Sequence, residues 1–181
     1  MDEVITLYHG TVHDFDKIDL GQVRPYKDFG QGFYCSENRG QAVGIAMRNH
    51  KIALAKSKTQ QGHTRTPLMW LRTYEYPRVA LDKLSVREFH VADKEWLQFV
   101  SENRRSARRI HDYDVVIGPT ANDRTNASIQ LYFSGAYGQA GTDRAMEILS
   151  EVLMPDNLPP QTFFATERAA RFLTRIRKER I

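Results

Sequence analysis

Two stretches decide how this chain is read: Leu7-Tyr8-His9-Gly10-Thr11 near its start, and Asp28-Phe29-Gly30-Gln31-Gly32-Phe33-Tyr34-Cys35-Ser36 further on. Val4 to Tyr8 alternates as a strand does, with Ile5, Leu7 and His9 on one face and Val4, Thr6 and Tyr8 on the other. His9 and Tyr34 therefore stand beside glycines at what read as strand ends. Histidine offers a hydrogen bond, tyrosine offers a flat stacking face, and glycine lets a ligand approach the backbone closely. Together they suit a nucleotide that carries a flat ring at one end.

The remaining elements follow from periodicity. Thr11 to Tyr26 is polar with glycine and proline and reads as irregular. A helix begins near Asn38, with Val43, Met47, His50 and Leu54 on one stripe. Gln60 to Thr64 reads as a turn. Leu68, Trp70, Arg72, Tyr74 and Tyr76 then alternate with Met69, Leu71 and Thr73 in a strand that Pro77 ends. Asp93 to Arg109 reads as a helix that buries Trp96, Phe99 and Val100. Asp114 to Gly118 is a continuous apolar strand, Thr120 to Asn126 a polar loop, and Ile129 to Phe133 fits either helix or strand. Asp143 to Leu153 is amphipathic, with Ala145, Ile148, Leu149 and Val152 inward. A proline-rich loop from Met154 to Pro160 leads into a short strand, Gln161 to Ala165, after which Thr166 is placed to N-cap a final helix. Strands and helices mix without regular βαβ alternation, so the expected class is α+β.

The bulk properties narrow the field. A chain of 181 residues, 41% hydrophobic and 27% charged, fits a single domain over 1–181 with a core that needs no disulfide. Cys35 is the only cysteine, which excludes an internal bridge and points to a reducing compartment. The start is acidic and leads into a strand, and no apolar run is long enough to span a bilayer, so the expectation is a cytoplasmic protein with no membrane partner. The net charge of +4 permits a nucleic-acid partner without demanding one. Arg104, Arg105, Arg108 and Arg109, and the basic tail from Arg168 to Arg180, read first as solvated helix faces. His13, His63, His90 and His111 show no metal-ligand spacing with Cys35 or with one another, so no metal is expected. His50 reads as a packed core residue. No strand–GxGxxG–helix fingerprint is present.

Three segments, in order, resemble the motifs of the ADP-ribosyltransferase superfamily, in its diphtheria-toxin-like and poly(ADP-ribose)-polymerase-like branch. They are Tyr8-His9-Gly10-Thr11, then Gly30-Gln31-Gly32-Phe33-Tyr34 followed by Gln41-Ala42, then Gln161-Thr162-Phe163-Phe164-Ala165. The chain looks most like a small bacterial member of the stand-alone toxin kind. The resemblance implies a split, mostly antiparallel two-sheet fold around an NAD cleft, with NAD as substrate. It implies that His9 hydrogen-bonds the adenosine ribose, that the Gly10 backbone contacts the nicotinamide amide, and that Tyr34 stacks on the nicotinamide ring. Thr11, Gly32 and Ser36 would line the same pocket. It further implies mono-ADP-ribosyl transfer to a macromolecular acceptor, protein or nucleic acid, and a possible antitoxin partner.

At the third position the superfamily pattern has glutamate and this chain has Gln161. An amide still accepts a hydrogen bond from a ribose hydroxyl, but it carries no charge and is no base. A catalytically weak NAD-binding module that acts through a partner is therefore a second expectation, and a nucleic-acid-modifying enzyme on the same fold a third. Glu167 is the nearest carboxylate, and it reads as a helix-capping group. Asp123, in the polar loop, is a candidate acid beside the plainer reading of a turn residue.

Overall fold

A computed structural model gives the architecture and describes residues 3–59, 66–121, 123–153 and 159–181. The expected turn at Gln60 to Thr64 and most of the proline-rich loop that starts at Met154 lie outside the described residues. The strands are β1 (Val4–Thr11), β2 (Phe33–Cys35), β3 (Trp70–Pro77), β4 (Val86–Glu88), β5 (Val115–Pro119), β6 (Pro160–Phe164) and β7 (Thr174–Arg180). The helices are α1 (Arg39–Thr59), α2 (Lys94–Arg105), α3 (Asp123–Phe133), α4 (Asp143–Leu153) and the one-turn α5 (Glu167–Ala170). The class is α+β, as expected.

The strands form two sheets, one of order β1-β3-β7 and one of order β2-β6-β5-β4. Every pairing is antiparallel except β4 with β5. A single bridge stitches the sheets: Tyr8 N–H donates to Ser36 C=O at 2.7 Å and Ser36 N–H to Tyr8 C=O at 3.0 Å. Strand alternation then sorts the side chains into layers. Leu7 of β1, Tyr74 and Tyr76 of β3, Phe33 and Cys35 of β2, Val115 of β5 and Phe164 of β6 fill a core between the sheets. The opposite face of the second sheet, with Val116 and Phe163, packs with Phe29 and with Trp96, Leu97 and Val100 of α2, Ile129 and Tyr132 of α3, and Ala145 and Leu149 of α4.

Helix α1 covers the outer face of the first sheet, and Gly10 sets how close it comes. A Cβ at Gly10 would overlap the Ala42 carbonyl oxygen, lie 2.6 Å from its carbon and sit 3.2 Å from the Ala46 Cβ. Small residues on both sides let helix and strand meet at backbone distance. The buried stripe of α1 is consequently Ala42 and Ala46, and Met47, expected inward, is 48% exposed. On α4, Met146 is buried where Val152 was expected, and Val152 is exposed.

Several expected boundaries move for identifiable reasons. Asp93 caps α2, its side chain accepting from Trp96 N–H, but the helix stops at Arg105 because Ser106 is extended (φ −101°, ψ 133°). Thr166 does cap a helix, accepting from Ala169 N–H, yet that helix lasts four residues and the basic tail becomes strand β7. Pairing with β3 overrides the tail's helical propensity, and its Arg175, Arg177 and Lys178 protect an exposed sheet edge from further pairing. The segment Ile129 to Phe133 is helical, and α3 begins at Asp123, inside the stretch expected to be loop. No helix among the described residues is long and apolar enough to cross a membrane.

Candidate functional site

The site is built where β1 and β2 part. Beyond the Tyr8–Ser36 bridge, no further pairing joins these strands among the described residues. Continuing the antiparallel register from that bridge sets Gly10 opposite Tyr34. In a strand, N–H and C=O groups point alternately to either side. Tyr8 directs its pair away from β3 toward Ser36, so Gly10, two residues on, directs its pair toward the same opening.

His9 lies between them and faces the second sheet. Its Nδ1 stands 2.7 Å from the Tyr34 carbonyl oxygen. A carbonyl only accepts, so Nδ1 carries the proton. The ring stacks on Phe33 (centroids 4.4 Å apart, planes 26° apart) and meets the edge of Phe15 at 5.8 Å. Burial lowers the imidazole pKa from 6.5 to about 4, and nearby Arg72 adds to this against the Tyr34 hydrogen bond. The ring is therefore neutral at physiological pH, and Nε2 is left as an acceptor, the role that a ribose hydroxyl requires.

Arg72, paired with His9 across β1 and β3, is fully buried. It donates to His13 C=O at 3.3 Å, to Phe15 C=O at 2.7 Å and to Asp14 Oδ1 at 2.9 Å, with its guanidinium 3.8 Å from the Phe15 ring centroid. It clamps the segment after β1 over His9. Burial and the loss of solvation lower the Arg72 pKa. Lys178 of β7 also binds Asp14, chiefly through a hydrogen bond that lowers the carboxyl pKa.

Tyr34 projects from the other face of β2. Its hydroxyl donates to Gly30 C=O at 2.7 Å and accepts from Phe29 N–H at 3.1 Å, and its ring packs on Phe163 at 4.7 Å. Burial, with the Asp28 charge nearby, raises the phenol pKa well above 10.0. Gly30 holds φ +97°, a conformation that side chains resist, so the turn that receives the hydroxyl depends on this glycine. Gln161, two residues from Phe163, shares that face. Its Nε2 donates to Asp28 Oδ2 at 2.8 Å.

The geometry thus joins the three segments unequally. Tyr34 and Gln161 meet around the Asp28–Gly30 turn, whereas His9 reaches Tyr34 through the backbone and projects from the opposite side of β2. The glycines serve packing as well as approach, since a Cβ at Gly32 would lie 2.5 Å from the Phe163 ring and from the Phe164 carbonyl oxygen. Ser36 is buried, and its hydroxyl is held by Gln41 Oε1 (2.6 Å), Pro160 C=O (3.2 Å) and Asn38 N–H (2.9 Å). Gln41 in turn donates to Thr120 Oγ1 at 2.6 Å, which ties the start of α1 to the end of β5. Thr11 is buried and accepts from His13 N–H. The Asp123 side chain lies outside the described residues. Glu167 sits in the first turn of α5, which Thr166 caps.

Two contributors escaped the sequence reading. Asp28 is 6% exposed and anchors Gln161. Arg104 leaves the solvated arginine group to bind Asp28 through Nε at 2.8 Å and through Nη2. An acid immediately before Phe-Gly, 76 residues from Arg104, carries no periodic signal of this pairing. Arg105 lies over the Phe133 ring at 4.4 Å and Arg109 donates to Ala165 C=O at 3.5 Å, so three of the four are engaged within the fold. Cys35 is buried and its thiol pKa is pushed up by burial, which leaves it a packing residue. His50 is half-buried on α1, with Nε2 enclosed and lacking a hydrogen-bond partner among the described residues. No group of His, Cys, Asp and Glu that could hold a metal occurs among the described residues. A cavity of about 570 Å³, lined in part by Arg87, Phe99, Glu102, His111 and Tyr113, lies apart from His9, Tyr34 and Gln161.

These features define an α+β protein whose two sheets part beyond the Tyr8–Ser36 bridge, with His9 on one side of β2 and Tyr34 and Gln161 on the other. A family model described as "Protein of unknown function (DUF3990)" matches residues 5–174, and the chain belongs to that family. Neither a curated protein nor a solved structure matches the chain.

Proposed function

We propose that the protein is an NAD-dependent mono-ADP-ribosyltransferase, with NAD as substrate and a macromolecule as acceptor. The observation that carries this reading is the His9 Nδ1 bond to Tyr34 C=O at 2.7 Å, which couples the two motif segments at the point where β1 and β2 part. It leaves His9 Nε2 free to accept from a ribose hydroxyl and sets the Gly10 N–H and C=O at the same opening, suited to a carboxamide that both donates and accepts. On the other face of β2, the Tyr34 ring would supply the stacking surface, and aromatic stacking is worth about 0.5–1.5 kcal/mol beyond area burial.

In the reaction, the bond between ribose and nicotinamide breaks, and nicotinamide leaves with the bonding pair. Positive charge builds on the ribose carbon, as in glycoside cleavage. The acceptor nucleophile forms the new bond and gives up its proton. The chain's part is to hold the nicotinamide in place and to present hydrogen-bond acceptors to the ribose hydroxyls. A role as toxin or defence effector, paired with an antitoxin, accords with that activity in the cytoplasm.

The test is incubation with labelled NAD and a cell lysate. Nicotinamide release with label on protein or nucleic acid is expected, and His9→Ala and Tyr34→Ala should each lower it. Binding of NAD by calorimetry without turnover would instead select the NAD-binding module. Absence of binding, release and transfer alike would overturn the proposal. Label in RNA or DNA rather than protein would identify a nucleic-acid acceptor.

A further inference from the structure

We infer that Asp28, itself paired with Arg104, is the positioning residue for Gln161: its buried carboxylate fixes the amide so that Oε1 serves as the acceptor that a glutamate oxygen would supply. The inference rests on the functional reading above.

Asp28 sits just before the turn that holds the Tyr34 hydroxyl. Its Oδ1 accepts from Arg104 Nε at 2.8 Å and from Arg104 Nη2. Its Oδ2 accepts from Ala121 N–H at 2.9 Å and from Gln161 Nε2 at 2.8 Å. Each of these contacts is a donor to the carboxylate, as a buried charge requires. The consequence for Gln161 is geometric. A carboxylate cannot donate, so the amide has one allowed orientation, with Nε2 toward Asp28 and Oε1 away from it. The charge-assisted bond also polarises the amide and strengthens Oε1 as an acceptor. The same short segment therefore fixes Tyr34 through Phe29 N–H and Gly30 C=O and fixes Gln161 through Asp28.

The arrangement also explains the departure from glutamate. A carboxylate in place of the Gln161 amide would face Asp28 Oδ2 with no proton between them. Like charges at that separation repel, so the pair is fully ionised only toward high pH and shares a proton as pH falls. Glutamine avoids the conflict and leaves the Asp28–Arg104 pair intact.

The experiment is a double-mutant cycle on NAD cleavage, read as nicotinamide release, with wild type, Asp28→Asn, Gln161→Ala and the double variant. Each single change should lower kcat by about tenfold or more with little change in KM, and the double variant should be no worse than the worse single one. Independent, multiplying losses would overturn the inference. Gln161→Glu gives a second readout that stands even if Asp28→Asn does not fold. Its activity should fall below wild type at pH 8 and recover toward pH 5, where the introduced carboxyl holds a proton and can again donate to Asp28. Activity at pH 8 equal to or above wild type would refute the inference. A wild-type protein that neither binds nor cleaves NAD would overturn the functional reading itself and this inference with it, whereas cleavage with an additive cycle overturns the inference alone.

Discussion

The buried histidine makes a quantitative prediction about acid. His9 titrates at about 4 in the folded protein, against 6.5 for an unperturbed histidine, with burial as the main cause. Because the folded value is the lower one, the unfolded chain takes up the proton first as pH falls. The stabilising effect of a neutral, buried His9 is thus intact above pH 6.5 and is lost between there and about pH 4. A tenfold change in proton affinity is worth about 1.4 kcal/mol, so the loss amounts to about 2 kcal/mol by pH 5 and about 3 kcal/mol below pH 4. Other groups titrate in the same range, so the measurement must be a difference. Urea unfolding of wild type and His9→Asn at pH 7 and pH 5 isolates the term, since the asparagine amide can keep the hydrogen bond to Tyr34 C=O but does not titrate. The stability of His9→Asn relative to wild type should rise by about 2 kcal/mol on going from pH 7 to pH 5. The same protonation removes the Nε2 acceptor, so NAD affinity should fall as pH approaches 4. An NMR titration midpoint for His9 near 6.5, or an equal pH response in both proteins, would refute the burial argument.

Gly10→Ala should destabilise by about 1–3 kcal/mol or more, because α1 must retreat from β1, and the melting temperature should drop by roughly 2–4 °C per kcal/mol; an unchanged melting temperature would show that the strand–helix approach is looser than described. Tyr34→Phe leaves Phe29 N–H without its acceptor and should cost about 1–3 kcal/mol in denaturant unfolding. It should largely preserve NAD binding if the ring face is what the ligand uses; loss of binding with unchanged stability would assign the hydroxyl to the ligand instead. Burial alone would raise the Asp114 pKa, but hydrogen bonds from Arg168, Ser85 N–H and Thr166 outweigh it and hold the carboxyl below its usual range. Asp114→Asn should therefore remove stability that is present above about pH 4 and lost in acid, and the two proteins' unfolding curves should converge as pH falls.

What the sequence determined by itself was local. Alternation in Val4 to Tyr8 and in the strand ended by Pro77 defined β1 and β3, since a strand's side-chain period is visible without partners. Thr166 marked a helix start because a cap needs only its own next residues. His9, Tyr34 and Gln161 were found as motif residues. The tertiary structure decided the rest. The basic tail is a strand because β3 offers it an unpaired edge, a fact that helical propensity cannot register. Gly10 and Gly32 must be glycine because Ala42 and Phe163 occupy the space where a Cβ would go. Arg104 is an internal partner rather than a surface charge because folding carries α2 to the turn that holds Asp28. Gln161, which in sequence is a missing charge, stands in the fold beside a carboxylate drawn from far earlier in the chain. Such a pairing is settled only when β6 takes its place next to β2, because the energy of a buried charge depends on the donors that surround it and not on its neighbours in sequence.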